Sequence, residues 1–242
     1  MKAVILNSGM GTRMGALTKE HPKCMTEIAE RVTIISSQLK YLSELGVKDV
    51  VITTGYFNDV LVEYCKSLDL QLNIEYVFNP LYSKTNYIYS LYCAREILRD
   101  SDIILMHGDL VFERRVLEEI LLFDQSCMAV STTVELPPKD FKAVLFENKI
   151  KAVGIEFFDN AVAAQPLYKL LKKDWNIWLE QICNYCEKGE TSCYAENAFN
   201  EISDKVDLIP FDVKNSLCNE VDTNEDLQKT VQKYEQLCSL LK

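Results

Sequence analysis

Residues 1–15 read MKAVILNSGMGTRMG, an apolar run followed at once by a glycine-rich stretch. The run at residues 3–6 predicts a buried β-strand, and the glycines after it predict a loop. Glycine has no Cβ, so backbone N–H groups in such a loop can approach phosphate oxygens closely. Arg13 in the loop and Lys23, directly after His21-Pro22, add cations that suit a triphosphate. The stretch therefore predicts phosphate binding at the end of a first strand.

The spacing of the glycines excludes two common nucleotide-binding motifs. The dinucleotide fingerprint G-x-G-x-x-G requires a third glycine at position 14, but that position is Met14 and the glycine comes one residue later, at Gly15. The sequence also lacks the P-loop pattern G-x-x-x-x-G-K-[ST]. A structural turn with incidental glycines is the alternative interpretation, and the nearby cations argue against it.

The first half of the chain alternates between strand and helix patterns. Strands are predicted at residues 3–6, 50–53, 72–78 and 103–106, and helices at 34–45, 58–66, 91–98 and 113–123. Gly46 is the predicted stop of the first helix, and Asn58 the predicted cap of the second. This rhythm predicts an α/β fold, a Rossmann-like, mostly parallel sheet flanked by helices. The strand ends would then share one edge, where ligands bind.

After residue 126 the alternation changes. Strands are predicted at 128–134, within 143–155 around a turn at Glu147-Asn148-Lys149, and at 206–213, and helices at 175–188 and 223–241. We expect one domain spanning 1–242, with a nucleotide-binding half at 1–125 and an acceptor-binding half at 126–242. The second half would form a small C-terminal elaboration of the sheet.

Composition limits the partners and the compartment. The formal net charge of −10 argues against nucleic acid or an anionic membrane as the main partner. The apolar run at the N-terminus is too short to predict a secretion signal. The chain has nine cysteines, and this odd number indicates reduced thiols rather than a disulfide framework. We therefore expect a cytoplasmic protein without membrane insertion, as a monomer or a homodimer. Cys183 and Cys186 resemble half a zinc site, but buried thiols on a helix are the better interpretation.

The first loop and several later segments resemble the nucleotide-sugar pyrophosphorylase and cytidylyltransferase superfamily. The loop matches a G-x-G-[TS]-R motif followed by Pro-Lys, and the later segments occur in the family's order. These segments are VVITTGY at 50–56, NPLYSKTNYIYSL at 79–91, His107-Gly108-Asp109 and Glu220-Val221-Asp222-Thr223. Within the superfamily, the chain is most similar to bacterial phosphocholine cytidylyltransferases and related CTP-dependent enzymes. The resemblance implies a nucleotidyltransferase fold of the GT-A-like kind.

The resemblance also implies roles for individual residues. Arg13 and Lys23 would be catalytic, binding the nucleotide phosphates, and Asp109 and Asp222 would hold Mg²⁺. The implied nucleotide-binding residues are Leu6, Asn7, Gly9, Met10, Gly11, Thr12, Arg13, Lys23, Gly55, Tyr56, Thr85, Asn86, Ser90 and Gly108. The acceptor phosphate is already an ionised nucleophile, so the reaction requires no general base. As an alternative, either aspartate could simply cap the helix that follows it.

The acceptor pocket is implied least directly. Lys142, Glu196 and Glu220 are the candidate acceptor-binding residues, and Lys139 is an alternative to Lys142. A carboxylate with nearby aromatic side chains would suit a quaternary ammonium, although the helical spacing of Trp175 and Trp178 indicates core packing instead. The expected reaction joins CTP and a small phosphorylated alcohol to give a CDP-alcohol and pyrophosphate. The alternatives are a sugar-1-phosphate uridylyl- or thymidylyltransferase and a nucleotide-binding module without catalysis.

Overall fold

The computed structural model describes residues 1–240, apart from the side chains of Thr12, Arg13, Ala16 and residues 238–240. The strands are β1 (Lys2–Asn7), β2 (Glu27–Ala29), β3 (Val32–Thr33), β4 (Asp49–Thr54), β5 (Asn73–Phe78), β6 (Ile103–His107), β7 (Leu110–Phe112), β8 (Cys127–Ser131), β9 (Lys142–Phe146), β10 (Lys149–Gly154), β11 (Ala161–Leu170), β12 (Ile209–Asp212) and β13 (Cys218–Glu220). The α-helices are α1 (Ile34–Glu44), α2 (Asn58–Ser67), α3 (Tyr87–Cys93), α4 (Arg95–Leu98), α5 (Arg114–Leu122), α6 (Lys172–Glu187), α7 (Ala195–Asn200) and α8 (Asn224–Leu240).

One large sheet organises the chain, and its strand order is β10-β9-β11-β6-β1-β4-β5. Strands β6, β1, β4 and β5 run parallel, so their carboxyl ends meet at the same edge. Strand β11 runs antiparallel to β6 and also pairs with β8 and β9, which adds the second half of the chain to the same sheet. The predicted mostly parallel central sheet is confirmed, and the C-terminal half extends it with antiparallel strands.

Helices cover both faces of the sheet, as predicted. Along β1, Val4 and Leu6 face one apolar cluster, while Ala3 and Ile5 face the other, which is the alternation expected of a buried strand. The first cluster contains side chains of α3, α6 and α7, and the second contains side chains of α1, α2 and α5. The buried indole rings of Trp175 and Trp178 lie in the first cluster. Their predicted role as core residues is confirmed.

Strand β11 is the longest element that the sequence did not predict. It is ten residues long and mostly buried, but it is rich in alanine and contains Pro166, residue types that are depleted in strands. The pairing of β11 with β8 shifts register between Ala164 and Tyr168, and Pro166 lies within this irregularity. A central strand tolerates proline at a bulge, which explains the position of Pro166. Pairing with the neighbouring strands therefore outweighs the low strand propensity of these residues.

Two other local predictions need correction. Asn58 does not cap α2: Phe57 occupies the cap position, and the Asn58 side chain instead accepts a hydrogen bond from the Thr54 hydroxyl at 2.6 Å. The single helix predicted around residues 91–98 is divided at Ala94 into α3 and α4. By contrast, Gly46 follows Leu45, the C-cap of α1, with a φ of +81°, as expected for a glycine that stops a helix.

The described cysteines agree with the expectation of reduced thiols. All the cysteines whose side chains are described are free thiols, including Cys183 and Cys186 on α6. Within residues 1–240, none of the helices combines the length and the apolar character that crossing a bilayer requires.

Candidate active site

A pocket opens at the carboxyl ends of the parallel strands. The loops after β1, β5 and β6 form one side of it, and segments from the second half of the chain form the other. The predicted residues that line it are Leu6, Asn7, Gly9, Met10, Gly11, Lys23, Thr85, Asn86, Ser90, Gly108, Asp109, Glu220 and Asp222. Lys139, the alternative acceptor residue, also lines it, and the lining residues not assigned from the sequence are Ser8, Pro22, Cys24, Asn79, Tyr82, Tyr87, His107, Asp140, Phe141, Ile155 and Tyr194.

The glycine-rich loop follows β1 directly and then turns back on itself. Gly11 has a φ of +63°, a conformation that other residues rarely adopt, and its carbonyl accepts a hydrogen bond from the Thr18 hydroxyl at 2.9 Å. Gly9, Met10 and Gly11 line the pocket, so the loop predicted to bind phosphate lies at its wall. The side chains of Thr12 and Arg13, which are predicted to bind the nucleotide, lie outside the described residues.

Buried polar side chains fix the base of this loop. Asn79 donates to Ser90 Oγ at 3.0 Å and to Thr85 Oγ1 at 3.2 Å, and Ser90 in turn donates to Ser8 Oγ at 3.0 Å. The network connects the loop after β5 to the loop after β1. Asn86 caps α3, because its Oδ1 accepts a hydrogen bond from the Tyr87 N–H at 2.7 Å. This oxygen, which is predicted to bind the nucleobase, is therefore partly engaged by the helix.

Gly55 and Tyr56 lie beside the pocket rather than in its lining. A Cβ on Gly55 would lie 2.3 Å from the Ser8 carbonyl oxygen, so glycine is needed for the close approach of the two loops. The Tyr56 ring is 64% exposed and packs against Tyr82, with ring centroids 6.2 Å apart. Tyr82 lines the pocket instead. Gly55 thus supports the site through packing, and Tyr56 contacts it through Tyr82.

Gly108 is required for a second close approach. Its N–H donates to the Leu6 carbonyl at 3.0 Å, which continues the pairing of β6 with β1. A Cβ at this position would lie 1.7 Å from Asn7 Oδ1. The Asn7 side chain therefore occupies the space that any larger residue at 108 would need.

Two aspartates from distant parts of the chain meet around Lys23. Strands β7 and β13 pair antiparallel, and the Val221 N–H donates to the Asp109 carbonyl at 3.0 Å, which brings Asp222 beside Asp109. Lys23 Nζ lies 2.6 Å from Asp109 Oδ2 and 2.5 Å from Asp222 Oδ1. Burial opposes the charge on Lys23, but the two carboxylates outweigh it and raise the pKa of the ammonium. Lys23 likewise lowers the pKa of Asp109 against the effect of burial.

Neither aspartate caps a helix. Asp109 lies in the turn between β6 and β7, and α5 begins only at Arg114. At α8 the capping interactions belong to Thr223 and Asp226, because the Thr223 N–H donates to Asp226 Oδ2 at 2.8 Å and Thr223 Oγ1 accepts from the Asp226 N–H at 3.2 Å. The capping alternative is therefore wrong for both residues.

His107 and Glu220 extend the charged cluster. His107 Nδ1 lies 2.9 Å from Glu220 Oε1, and one ligand atom from each of His107, Asp109 and Glu220 lies within 4.8 Å of the others. Burial, together with the charge of Asp109, raises the pKa of Glu220 to about 7. Burial opposes the charge on His107, but its bond to Glu220 outweighs this and raises the pKa of the imidazole. Among the described residues, Asp109 Oδ1 and His107 Nε2 are buried without a hydrogen-bond partner.

The titration of Glu220 predicts a pH-dependent stability of the ligand-free protein. The folded state binds the proton of the Glu220 carboxyl more tightly than the unfolded chain does. The stability that this proton contributes is therefore fully present below the unfolded pKa of about 4.3. It is lost as the pH rises through the folded pKa of about 7. Between about pH 5 and about pH 8, we expect the melting temperature to fall more for the wild type than for Glu220→Gln.

This comparison is made by calorimetry in the presence of a chelator, since a bound cation would compete with the proton. Glu63→Gln, at an exposed position on α2, serves as the matched control and should keep the wild-type pH dependence. Parallel pH profiles for the wild type and Glu220→Gln would contradict the assignment.

Four aromatic rings that line the pocket contact one another, and we call them the ring cage: Tyr87, His107, Phe141 and Tyr194. Each ring contacts the next, with centroid distances of 4.7 Å for Tyr87–His107, 6.4 Å for His107–Phe141, 5.0 Å for Phe141–Tyr194 and 5.7 Å for Tyr194–Tyr87. All four of these residues line the pocket.

The candidate acceptor residues Glu196 and Lys142 lie outside the pocket lining. Glu196 is 1% exposed and accepts hydrogen bonds from the hydroxyls of Tyr168, at 2.7 Å, and Tyr87, so it acts on the pocket through Tyr87. Lys142 is fully buried, and its ammonium donates to backbone carbonyls. The lysine that the structure brings to the pocket is Lys139.

Comparisons with known proteins agree with this geometry. The family model described as nucleotidyl transferase matches residues 2–146. The CTP:phosphoglutamine cytidylyltransferase of Campylobacter jejuni is 30% identical over 126 residues, which cover 50% of this chain and 48% of that protein. The choline-phosphate cytidylyltransferase of Streptococcus pneumoniae is 35% identical over 104 residues, 43% of each chain. The chain thus spans less than half the length of these curated relatives.

A solved structure extends the likeness of the fold to nearly the whole chain. The CTP:phosphocholine cytidylyltransferase from Streptococcus pneumoniae superposes with a TM-score of 0.77 at 20% identity, covering 96% of this chain and 97% of that one. The second half, beyond the residues matched by the family model, therefore shares the fold of that structure as well.

Proposed function

This chain belongs to the nucleotidyl transferase family, and we propose that it is a Mg²⁺-dependent cytidylyltransferase. It would transfer CMP from CTP to a small phosphorylated alcohol and release pyrophosphate. The observation that carries the proposal is the position of Lys23, between two carboxylates and beside a glycine-rich loop at the carboxyl edge of the sheet.

The described residues suit in-line transfer between two phosphates. An oxygen of the acceptor phosphate attacks the α-phosphorus of CTP, a new P–O bond forms, and the bond to pyrophosphate breaks. The loop backbone from Gly9 to Gly11 would bind the phosphates, and the Lys23 ammonium would neutralise the charge that grows on the α-phosphate. The nucleophile is already ionised, so no side chain has to remove a proton from it.

Mg²⁺ fits the carboxylates beside Lys23. Asp109 and Asp222 would hold it, since carboxylate oxygens are preferred magnesium ligands and this pair already accommodates a cation, the Lys23 ammonium. Asp109 Oδ1 is buried and has no hydrogen-bond partner among the described residues, which leaves a ligand atom for the ion. When bound, Mg²⁺ would supply charge neutralisation to the phosphates.

The acceptor end suits an alcohol phosphate that also carries a positively charged nitrogen. The aromatic rings of the cage would attract a cation, and the carboxylates of Glu196 and Glu220 contact two of them, Tyr87 and His107. Lys139 would meet the acceptor phosphate. Choline phosphate and phosphoglutamine, the compounds in the names of the two curated relatives, both combine a phosphate with a nitrogen cation.

The same features separate the proposal from its alternatives. A sugar phosphate would require polar partners for several hydroxyl groups, whereas the ring cage offers mainly aromatic faces. CTP is supported by the names of both curated relatives, which are cytidylyltransferases. The three residues Lys23, Asp109 and Asp222 lie in one cluster, which favours an enzyme over a nucleotide-binding module without catalysis.

The test is release of pyrophosphate with and without Mg²⁺, for CTP, UTP, dTTP, ATP and GTP crossed with a panel of acceptors. The panel contains phosphocholine, phosphoethanolamine, phosphorylated amino acids and sugar 1-phosphates. We expect a signal with CTP and a nitrogen-bearing acceptor. A signal confined to UTP or dTTP with a sugar 1-phosphate would overturn the proposal, as would CTP binding without turnover across the grid.

A further inference from the structure

The segment between β8 and β9, residues 132–141, forms part of the acceptor end of the pocket. We call it the acceptor loop. It contains neither helix nor strand, yet three consecutive residues, Lys139, Asp140 and Phe141, line the pocket. A loop without regular hydrogen bonding needs other contacts to hold one conformation.

Lys142, the first residue of β9, supplies such contacts. Its ammonium donates to the carbonyl of Pro137 at 2.6 Å and to that of Asp140 at 3.0 Å, and it lies 4.3 Å from the centroid of the Phe158 ring. The side chain is fully buried. A buried cation is stable only where polar groups surround it, and here the loop's own backbone provides them.

We infer that Lys142 is a positioning residue for the acceptor, holding the acceptor loop in the shape that presents Lys139 and Phe141 to the pocket. This inference rests on the proposed function. Direct contact between Lys142 and the acceptor is disfavoured by its complete burial and by the two hydrogen bonds that its ammonium makes to the loop. Its effect on the acceptor is therefore transmitted through the backbone of residues 137–140.

The test compares Lys142→Met with Lys139→Met, which removes the same charge from a residue close by in sequence. Steady-state kinetics should show the acceptor KM raised about tenfold in both variants, with the CTP KM unchanged within about twofold. Hydrogen–deuterium exchange separates the two roles. Amides of residues 132–141 should exchange at least about tenfold faster in Lys142→Met and at the wild-type rate in Lys139→Met.

A milder variant covers the case in which Lys142→Met does not fold. Phe158 is 52% exposed, so Phe158→Leu removes the ring beside the ammonium without opening the core. It should raise both the acceptor KM and the loop exchange by a smaller factor. An acceptor KM equal to that of the wild type, equal rises in the KM values of both substrates, or unchanged exchange of the acceptor loop would overturn the inference.

These outcomes are separable from failure of the proposed function. If the wild type releases pyrophosphate from none of the acceptors, the proposed function fails on that result alone. The exchange measurement on folded Lys142→Met or Phe158→Leu still decides whether Lys142 holds the acceptor loop.

Discussion

Replacement of Lys23 by methionine is expected to lower kcat by about 10³-fold, the size of effect seen when a charge-stabilising group is removed from a transition state. The ammonium lies between Asp109 and Asp222 in the lining of the pocket, and the negative charge on the α-phosphate would grow during attack. Because this contact strengthens only in the transition state, the dissociation constant of CTP should change by less than about tenfold. Single-turnover kinetics and calorimetric CTP titration measure the two quantities separately.

Lys19→Met is the matched control, because Lys19 is exposed and lies close to Lys23 in sequence. It should keep wild-type turnover. Lys23→Met has a second expected consequence in the nucleotide-free protein. Removing the ammonium from between the carboxylates should let Mg²⁺ raise the melting temperature more than it does in the wild type. Wild-type turnover in Lys23→Met would contradict the assigned role, and so would an equal loss of turnover and of CTP affinity.

The four parallel strands of the first half could be predicted because each carries a strand pattern in its own residues. The apolar runs of β1, β4, β5 and β6 are short, bounded by turn residues, and separated by helices of amphipathic spacing. Strand β11 could not be predicted in this way. Its alanines and Pro166 carry no strand signal, and its strand conformation depends on three neighbouring strands.

The active site was predictable to the extent that its residues form contiguous motifs. The loop at Gly9 to Gly11, with Lys23, could be predicted from phosphate chemistry, and the pairing of Asp109 with Asp222 from the resemblance. The ring cage was not predictable, because its four members come from separate segments and no spacing connects them. The choice between Lys139 and Lys142 depends on how the acceptor loop turns before β9, which the residue types alone do not determine.

Asp222→Asn and Asp109→Asn are expected to raise the Mg²⁺ concentration required for half-maximal activity by at least about tenfold and to lower kcat by about 10²-fold. An amide has nearly the same shape as a carboxylate but lacks its charge, so each substitution removes attraction for the cation while preserving packing. Both residues contact Lys23, so their effects should not be additive in the double variant.

Glu225→Gln provides the control, since it removes a carboxylate close to Asp222 in sequence but at an exposed position in the first turn of α8. It should keep the wild-type Mg²⁺ dependence, and circular dichroism should show that all three variants are folded. A wild-type dependence on Mg²⁺ in Asp109→Asn would show that this carboxylate does not hold the ion. Asp109 Oδ1 is buried and lacks a hydrogen-bond partner among the described residues. If it does not bind Mg²⁺ either, the role of the Asp109 carboxylate would be its ion pair with Lys23.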